Sequence, residues 1–244
     1  MRLALPLTVA LVAAAAAVRP PETELVPVSP RPFKVGEELT FSAKVNFLNA
    51  GTATLKLASV ESMRGHATFH SVLDLSGRVL FMRIADHTES WFDTTTFSSV
   101  KLSQFARQGG RTQSGEYEFF PERGVYVRNG EERPSAAAPL DELSLLYYIR
   151  ALPLQVGKTY TINRYYHLDR NPITVTVLRR EHVEVAAGAY DALVVHPVVK
   201  SKGLFSEGGN AEVWLSDDAS RLVLKLNTGM PVGTLHLELK SAQR

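Results

Sequence analysis

The sequence has no cysteine in its 244 residues. That excludes disulfide stapling, a thiolate metal site and a lipid-anchored lipoprotein, so a folded domain must rest on its core alone. Charge imbalance is also missing: 27 Lys+Arg stand against 25 Asp+Glu, a formal +2 that becomes +1 if Arg2 leaves with a leader. A nucleic-acid surface needs a concentrated basic face, and this balance argues against one. No glycine-rich phosphate loop, dinucleotide fingerprint or Gly-x-Ser-x-Gly elbow occurs. No cofactor, metal site or motif-defined reaction is therefore implied. The one long apolar run, within the first 17 residues, falls short of the about 20 needed for a stable membrane span.

That run reads as a cleavable signal peptide, residues 1–17. Arg2 supplies its positive start, Leu3 to Val12 its apolar stretch, and Ala15-Ala16-Ala17 an A-x-A cleavage site. Residues 18–32 carry Pro20, Pro21, Pro27, Pro30 and Pro32 without apolar periodicity and read as an extended linker. Residues 33–244 then form a single β-rich domain. Export without disulfides fits the periplasm of a bacterium.

Within the domain, Leu39, Phe41, Ala43, Val45 and Phe47 alternate with polar residues, the mark of a half-buried strand. Asn49-Ala50-Gly51 is expected to turn the chain, with Ala53, Leu55 and Leu57 leading back. Gly77 reads as a bulge or sheet corner. Asn129-Gly130 is the strongest two-residue hairpin signal. Roughly a dozen strands joined by such turns predict antiparallel pairing, because parallel strands would need crossover helices. Val35-Gly36 and Val156-Gly157 each feed an apolar/polar alternation, a hint of two half-sheets of similar build.

One stretch, Pro139 to Pro153, reads as helix. Asp141 can cap it, Leu140 and Leu145 suit a hydrophobic staple, and Pro153 ends it. Leu143, Leu145, Leu146, Tyr147, Ile149 and Leu152 cover much of its circumference, which predicts burial. The expected architecture is mainly β: a strongly curved antiparallel sheet, an open barrel or spiral, wrapped around one central helix.

Three signposts resemble the exported family catalogued as domain of unknown function 3108. They are the Phe33-x-Val35-Gly36-Glu37-x-Leu39 opening with its Ala50-Gly51 turn, the Asp141-x-Leu143-Ser144-x-Leu146-Tyr147-Tyr148-x-Arg150-x-x-Pro153-Leu154 helix, and Val213-Trp214-Leu215-Ser216-Asp217-Asp218. The resemblance spans about residues 32–240. It implies an exported all-β envelope protein and carries over no catalytic residues.

Candidate site residues come from two clusters. In a strand, Asp86, Thr88 and Ser90 face one side, while His87, Glu89 and Trp91 face the other. His87 with Glu89 can form an acid/base pair, two metal ligands or an ordinary surface contact. Arg150, with Tyr147 and Tyr148 beside it and Trp214 in the C-terminal half, offers a cation amid aromatic surface for an amphipathic anionic ligand. Arg150 can equally be a buried structural cation paired with Asp86 or Asp217. His66 and His70 in extended chain stand too far apart for zinc, roughly 13 Å. Asp217 and Asp218 read as turn carboxylates. The favoured expectation is a non-enzymatic periplasmic protein binding a lipid, a glycan or an envelope protein. A structural or assembly factor without small ligand, and a polysaccharide-acting hydrolase or lyase using Asp86 or Glu89 with His87, are the alternatives.

Overall fold

The computed structural model describes residues 31–79, 81–108, 110–200, 205, 208, 210–230 and 233–244. The expected signal peptide, most of the linker and most of the 201–210 loop lie outside them. Among the described residues fourteen strands form one antiparallel sheet. The first eight are β1 (Glu38–Val45), β2 (Leu48–Met63), β3 (His66–Val79), β4 (Met82–Asp93), β5 (Ser99–Gln108), β6 (Arg111–Phe120), β7 (Val125–Arg128) and β8 (Glu131–Pro134). The helix α1 (Glu142–Arg150) follows. The chain then returns through β9 (Thr159–Ile162), β10 (Ile173–Val185), β11 (Gly188–Val198), β12 (Glu212–Ser216), β13 (Val223–Met230) and β14 (Gly233–Gln243). The order is β8-β7-β6-β5-β4-β3-β2-β1-β14-β13-β12-β11-β10-β9, so the two halves join where β1 pairs with β14 and the sheet does not close.

Three local expectations are corrected. The first hairpin turns at Asn46-Phe47, not at Asn49-Ala50-Gly51, which lies inside β2 opposite a register shift between Ala43 and Lys44. Asn46 takes the left-handed backbone the tight turn needs, φ 55°, and Phe47 is therefore pushed into solvent instead of joining the buried face. Gly77 is no bulge. It pairs in register with Gly51 on one side and Ile84 on the other. A Cβ on Gly77 would lie 1.7 Å from the Ala50 carbonyl oxygen, so glycine is required where these two backbones approach.

The Val-Gly echo extends into a structural repeat. Gly36 N–H donates to Leu57 O and Leu57 N–H to Glu37 O; Gly157 N–H donates to Val177 O and Val177 N–H to Lys158 O. Both turns place glycine at positive φ, 91° and 82°. Register shifts follow at Leu57/Ser59 and Val177/Arg179, and again at Trp91/Phe92 and Trp214/Leu215. β1–β5 and β9–β13 thus share one plan.

α1 is fixed from both ends. The Asp141 carboxylate accepts from the backbone N–H of Leu143 and Ser144, while Ser144 Oγ accepts from the Asp141 N–H, completing a capping box. Asp141 also accepts from the hydroxyls of Ser90 on β4 and Ser99 on β5, at 2.6 and 2.7 Å. Every residue from Leu143 to Arg150 is buried. At the other end Arg150 forks onto Glu37, 2.7 and 3.0 Å, and donates to the carbonyls of Ser220 and Arg221. The structural partner is therefore Glu37 from the β1 entry, not Asp86 or Asp217. Fully buried, the guanidinium needs a nearby carboxylate, and the Val35-Gly36 turn delivers one.

Candidate functional site

Alternation along β4 to β7 sets what faces the helix. Ser90 reaches Asp141, so Thr88 and Asp86 share that side of β4. The pairings Leu102↔Tyr117, Thr88↔Gln104, Ala106↔Gln113 and Tyr117↔Arg128 carry the same side across β5, β6 and β7. Near Leu102, Phe119 and Tyr126 this side is core. Further along the strands the apolar residues give way to polar ones, and a cavity of about 280 Å³ opens. Asp86, Thr88, Gln104, Gln113, Tyr117 and Arg128 are among its walls.

Tyr117 is the platform of this cavity. A Cβ on Gly115 would sit 2.9 Å from Tyr117 Cε2, so glycine lets the ring lie along the sheet. The ring also packs edge-on against Tyr166 at 5.7 Å. Burial pushes the Tyr117 phenol up, which keeps it a neutral hydrogen-bonding group. The Arg128 guanidinium lies 5.0 Å from the centre of the same ring. Its Nε is buried and has no hydrogen-bond partner among the described residues. An aromatic face, a cation and several amides and hydroxyls together can hold a polar or amphipathic molecule by stacking and hydrogen bonding.

Below the cavity, Tyr166 and His167, from the segment after edge strand β9, pack against Tyr117, Phe119 and Tyr126 near the opposite end of the sheet order. The backbone also links this segment back to β5: Ser99 N–H donates to Pro139 O, Leu140 N–H to Arg164 O and Tyr166 N–H to Leu140 O. Burial holds His167 down at about 4, so it is neutral there, 3.3 Å from Tyr126 Oη.

The expected site residues fall in separate places. Asp86 lines the cavity. His87, Glu89 and Trp91 lie on the opposite face, in a chain of contacts across β2, β3 and β4. Trp91 Nε1 donates to Glu61 at 2.9 Å, His70 stands between Glu61 and Glu89 at 3.1 and 3.2 Å, and His87 contacts Asp74 at 2.6 Å. His87 and Glu89 do meet, at 3.7 Å. Asp86 does not join them, so the carboxylate–histidine pair of a hydrolase spanning Asp86 and His87 is not assembled. Trp214 repeats the Trp91 arrangement in the second half, donating to Glu181 with Arg179 over its ring. Tyr147 and Tyr148 pack in the core against Phe92 and Phe97, and Arg150 is engaged by Glu37. Among the described residues no group of three or more His, Asp or Glu is placed to hold a metal ion.

Tyr117, Arg128, Gln104 and Gln113 were not singled out from the sequence. The Gly115-x-Tyr117 pair, a ring laid over a strand glycine, is the one local signal that could have found them. The others are ordinary strand residues until the register is known.

Residues 40–240 match the family described as protein of unknown function (DUF3108). The chain belongs to this family. Among curated proteins none matches significantly. The DUF3108 fold is shared with a crystal structure of a β-barrel-like protein of domain of unknown function DUF1849 from Brucella abortus. That likeness has a TM-score of 0.55 at 9% identity and covers 90% of this chain and 98% of that one. A protein with a YmcC-like fold from Bacteroides fragilis is more distant, with a TM-score of 0.32 at 11% identity over 87% of this chain and 98% of that one. No helix among the described residues is long and apolar enough to cross a membrane.

Proposed function

We propose that this DUF3108 protein is an exported, non-enzymatic binding module of the bacterial periplasm. Its open sheet curls around α1 and holds a polar or amphipathic ligand in the cavity on β4–β7. The observation that carries this reading is the Tyr117 ring with the Arg128 guanidinium 5.0 Å from its centre, both residues lining the cavity. The guanidinium over that ring gives a ligand oxygen a cation to meet beside a stacking face. At about 280 Å³ the cavity lies near the lower edge of small-molecule sites. Its polar walls favour a glycan-like or headgroup-like molecule over a bare acyl chain. The leader read from residues 1–17 supplies the route of export.

The test is native mass spectrometry of the chain purified as exported, with released small molecules identified. A stoichiometric adduct that is lost in Arg128→Gln and Tyr117→Leu, both still folded by circular dichroism, supports the reading. A clean apo mass under several growth conditions overturns it and favours a role through a protein partner.

A further inference from the structure

The hairpin ends on one side of the sheet carry a second surface, separate from the cavity. Because the strands are antiparallel neighbours, the tips of β13–β14, β1–β2, β3–β4 and β5–β6 stand side by side at one end. Phe47 and Phe81 each lie four residues beyond the Gly51–Gly77 rung, at the apices of adjacent hairpins. They are 87% and 94% exposed, the two most solvent-exposed large apolar side chains among the described residues. A single exposed apolar residue is ordinary, but two phenylalanines at neighbouring apices are not explained by packing.

The charge around them has one sign. Arg78 and Arg83 face each other across the β3–β4 tip, and Arg107 and Arg111 flank the β5–β6 tip. All four are exposed, and none has an ion pair with a described residue. Lys44, beside the β1–β2 tip, does find a carboxylate in Glu238, as Lys56 at the far end finds Glu38. Around the four arginines few carboxylates are at hand: the sequence has no acidic residue between Asp74 and Asp86 or between Asp93 and Glu116. Four exposed arginines without ion pairs thus stand together at one end of the sheet.

We infer that this end docks on an anionic lipid bilayer, with Phe47 and Phe81 entering the interface and Arg78, Arg83, Arg107 and Arg111 on the headgroups. Aromatic side chains at the apices and a ring of arginines behind them match the interfacial and electrostatic layers of such a surface. A protein partner would need a shaped apolar patch, whereas these phenylalanines stand on separate tips. The rung Asp86↔Ala106↔Gln113 beside the cavity lies next to the Arg107↔Thr112 pair, so docking would bring the cavity close to the lipid. The inference stands whether or not the cavity holds a ligand.

The experiment is vesicle co-sedimentation of the purified exported chain. It compares vesicles of equal parts phosphatidylglycerol and phosphatidylcholine with vesicles of phosphatidylcholine alone. Binding to the first and not the second is expected, weakening as salt screens the arginines. Arg78→Gln with Arg83→Gln should reduce the partition coefficient about 25-fold, at about fivefold per arginine. Phe81→Ser should lower binding while leaving the thermal melt unchanged, since the side chain is exposed. Equal sedimentation with both vesicle types, or full binding by the double arginine variant, overturns the inference. So does capture by an acidic polysaccharide without capture by vesicles.

Discussion

Removing Glu37 leaves the Arg150 guanidinium buried with carbonyl oxygens alone. The pair is 0% and 1% exposed, with the carboxylate and guanidinium in a two-bond fork. Breaking a buried pair from one side costs about 3–5 kcal/mol, most of it the desolvation of the charge that remains. The two sides are not equivalent here. Arg150→Met leaves Glu37 a second cation, Arg244 at 3.4 Å and partly exposed, which places this variant near the lower figure. Glu37→Leu leaves Arg150 with only the Ser220 and Arg221 carbonyls and belongs near the upper one. The double variant Glu37→Leu with Arg150→Met removes both charges and should recover much of the loss, since hydrophobic replacements of buried pairs are often close to neutral. Urea unfolding of the four proteins measures this directly. With a slope of about 2 kcal/mol per molar, each single variant should shift its midpoint by roughly 1.5–2.5 M. A coupling below about 0.5 kcal/mol, or single variants costing less than about 1 kcal/mol, would show that the pair is not the tie it is described as.

Asp141→Ala removes a helix cap and also strands the Ser90 hydroxyl, while Ser99 keeps Ser144 Oγ at 3.0 Å. The cap alone is worth about 1 kcal/mol and the stranded buried hydroxyl about 1–3 more, so a loss of roughly 2–4 kcal/mol is expected in the same unfolding assay. A loss confined to the cap value would mean that Ser90 finds another partner. Two histidines should titrate in opposite directions. The hydrogen bond with Asp74 raises His87, so its contribution to stability is full below the unfolded value of about 6.5 and fades as pH rises through the higher folded value. Burial lowers His167 to about 4, so its contribution is full above the unfolded value and is lost as pH falls toward that figure. Proton NMR titration of the two rings reads both, and Asp74→Asn should bring His87 back down. A His87 midpoint unmoved by that substitution would contradict the assigned cause.

The helix was legible because its signals are local. Asp141, the apolar run and Pro153 lie within a few residues of one another, and the structure places the helix at Glu142–Arg150 with Asp141 as its cap. Strand alternation was legible for the same reason, including the split of Asp86 from His87 and Glu89 to opposite faces. The Val-Gly echo gave two matching turns, but the matching register shifts that follow them depend on pairing partners and left no mark in composition. Distance in sequence hid the rest. Glu37 and Arg150 are 113 positions apart, and no spacing rule links a strand-entry carboxylate to a helix-end cation. Tyr117, Arg128 and Asp86 become one surface only after the β4–β7 register is fixed. Phe47 misled because alternation continues through a turn until positive φ at Asn46 breaks it.

Native mass spectrometry of the exported chain, with Arg128→Gln alongside, tests the central claim most directly. A ligand retained at one copy per chain and lost in the variant is the predicted result, and its identification would name what the DUF3108 cavity holds. An apo wild-type mass, or a ligand retained equally by Arg128→Gln, would contradict the assignment of the Tyr117–Arg128 cavity as the binding site.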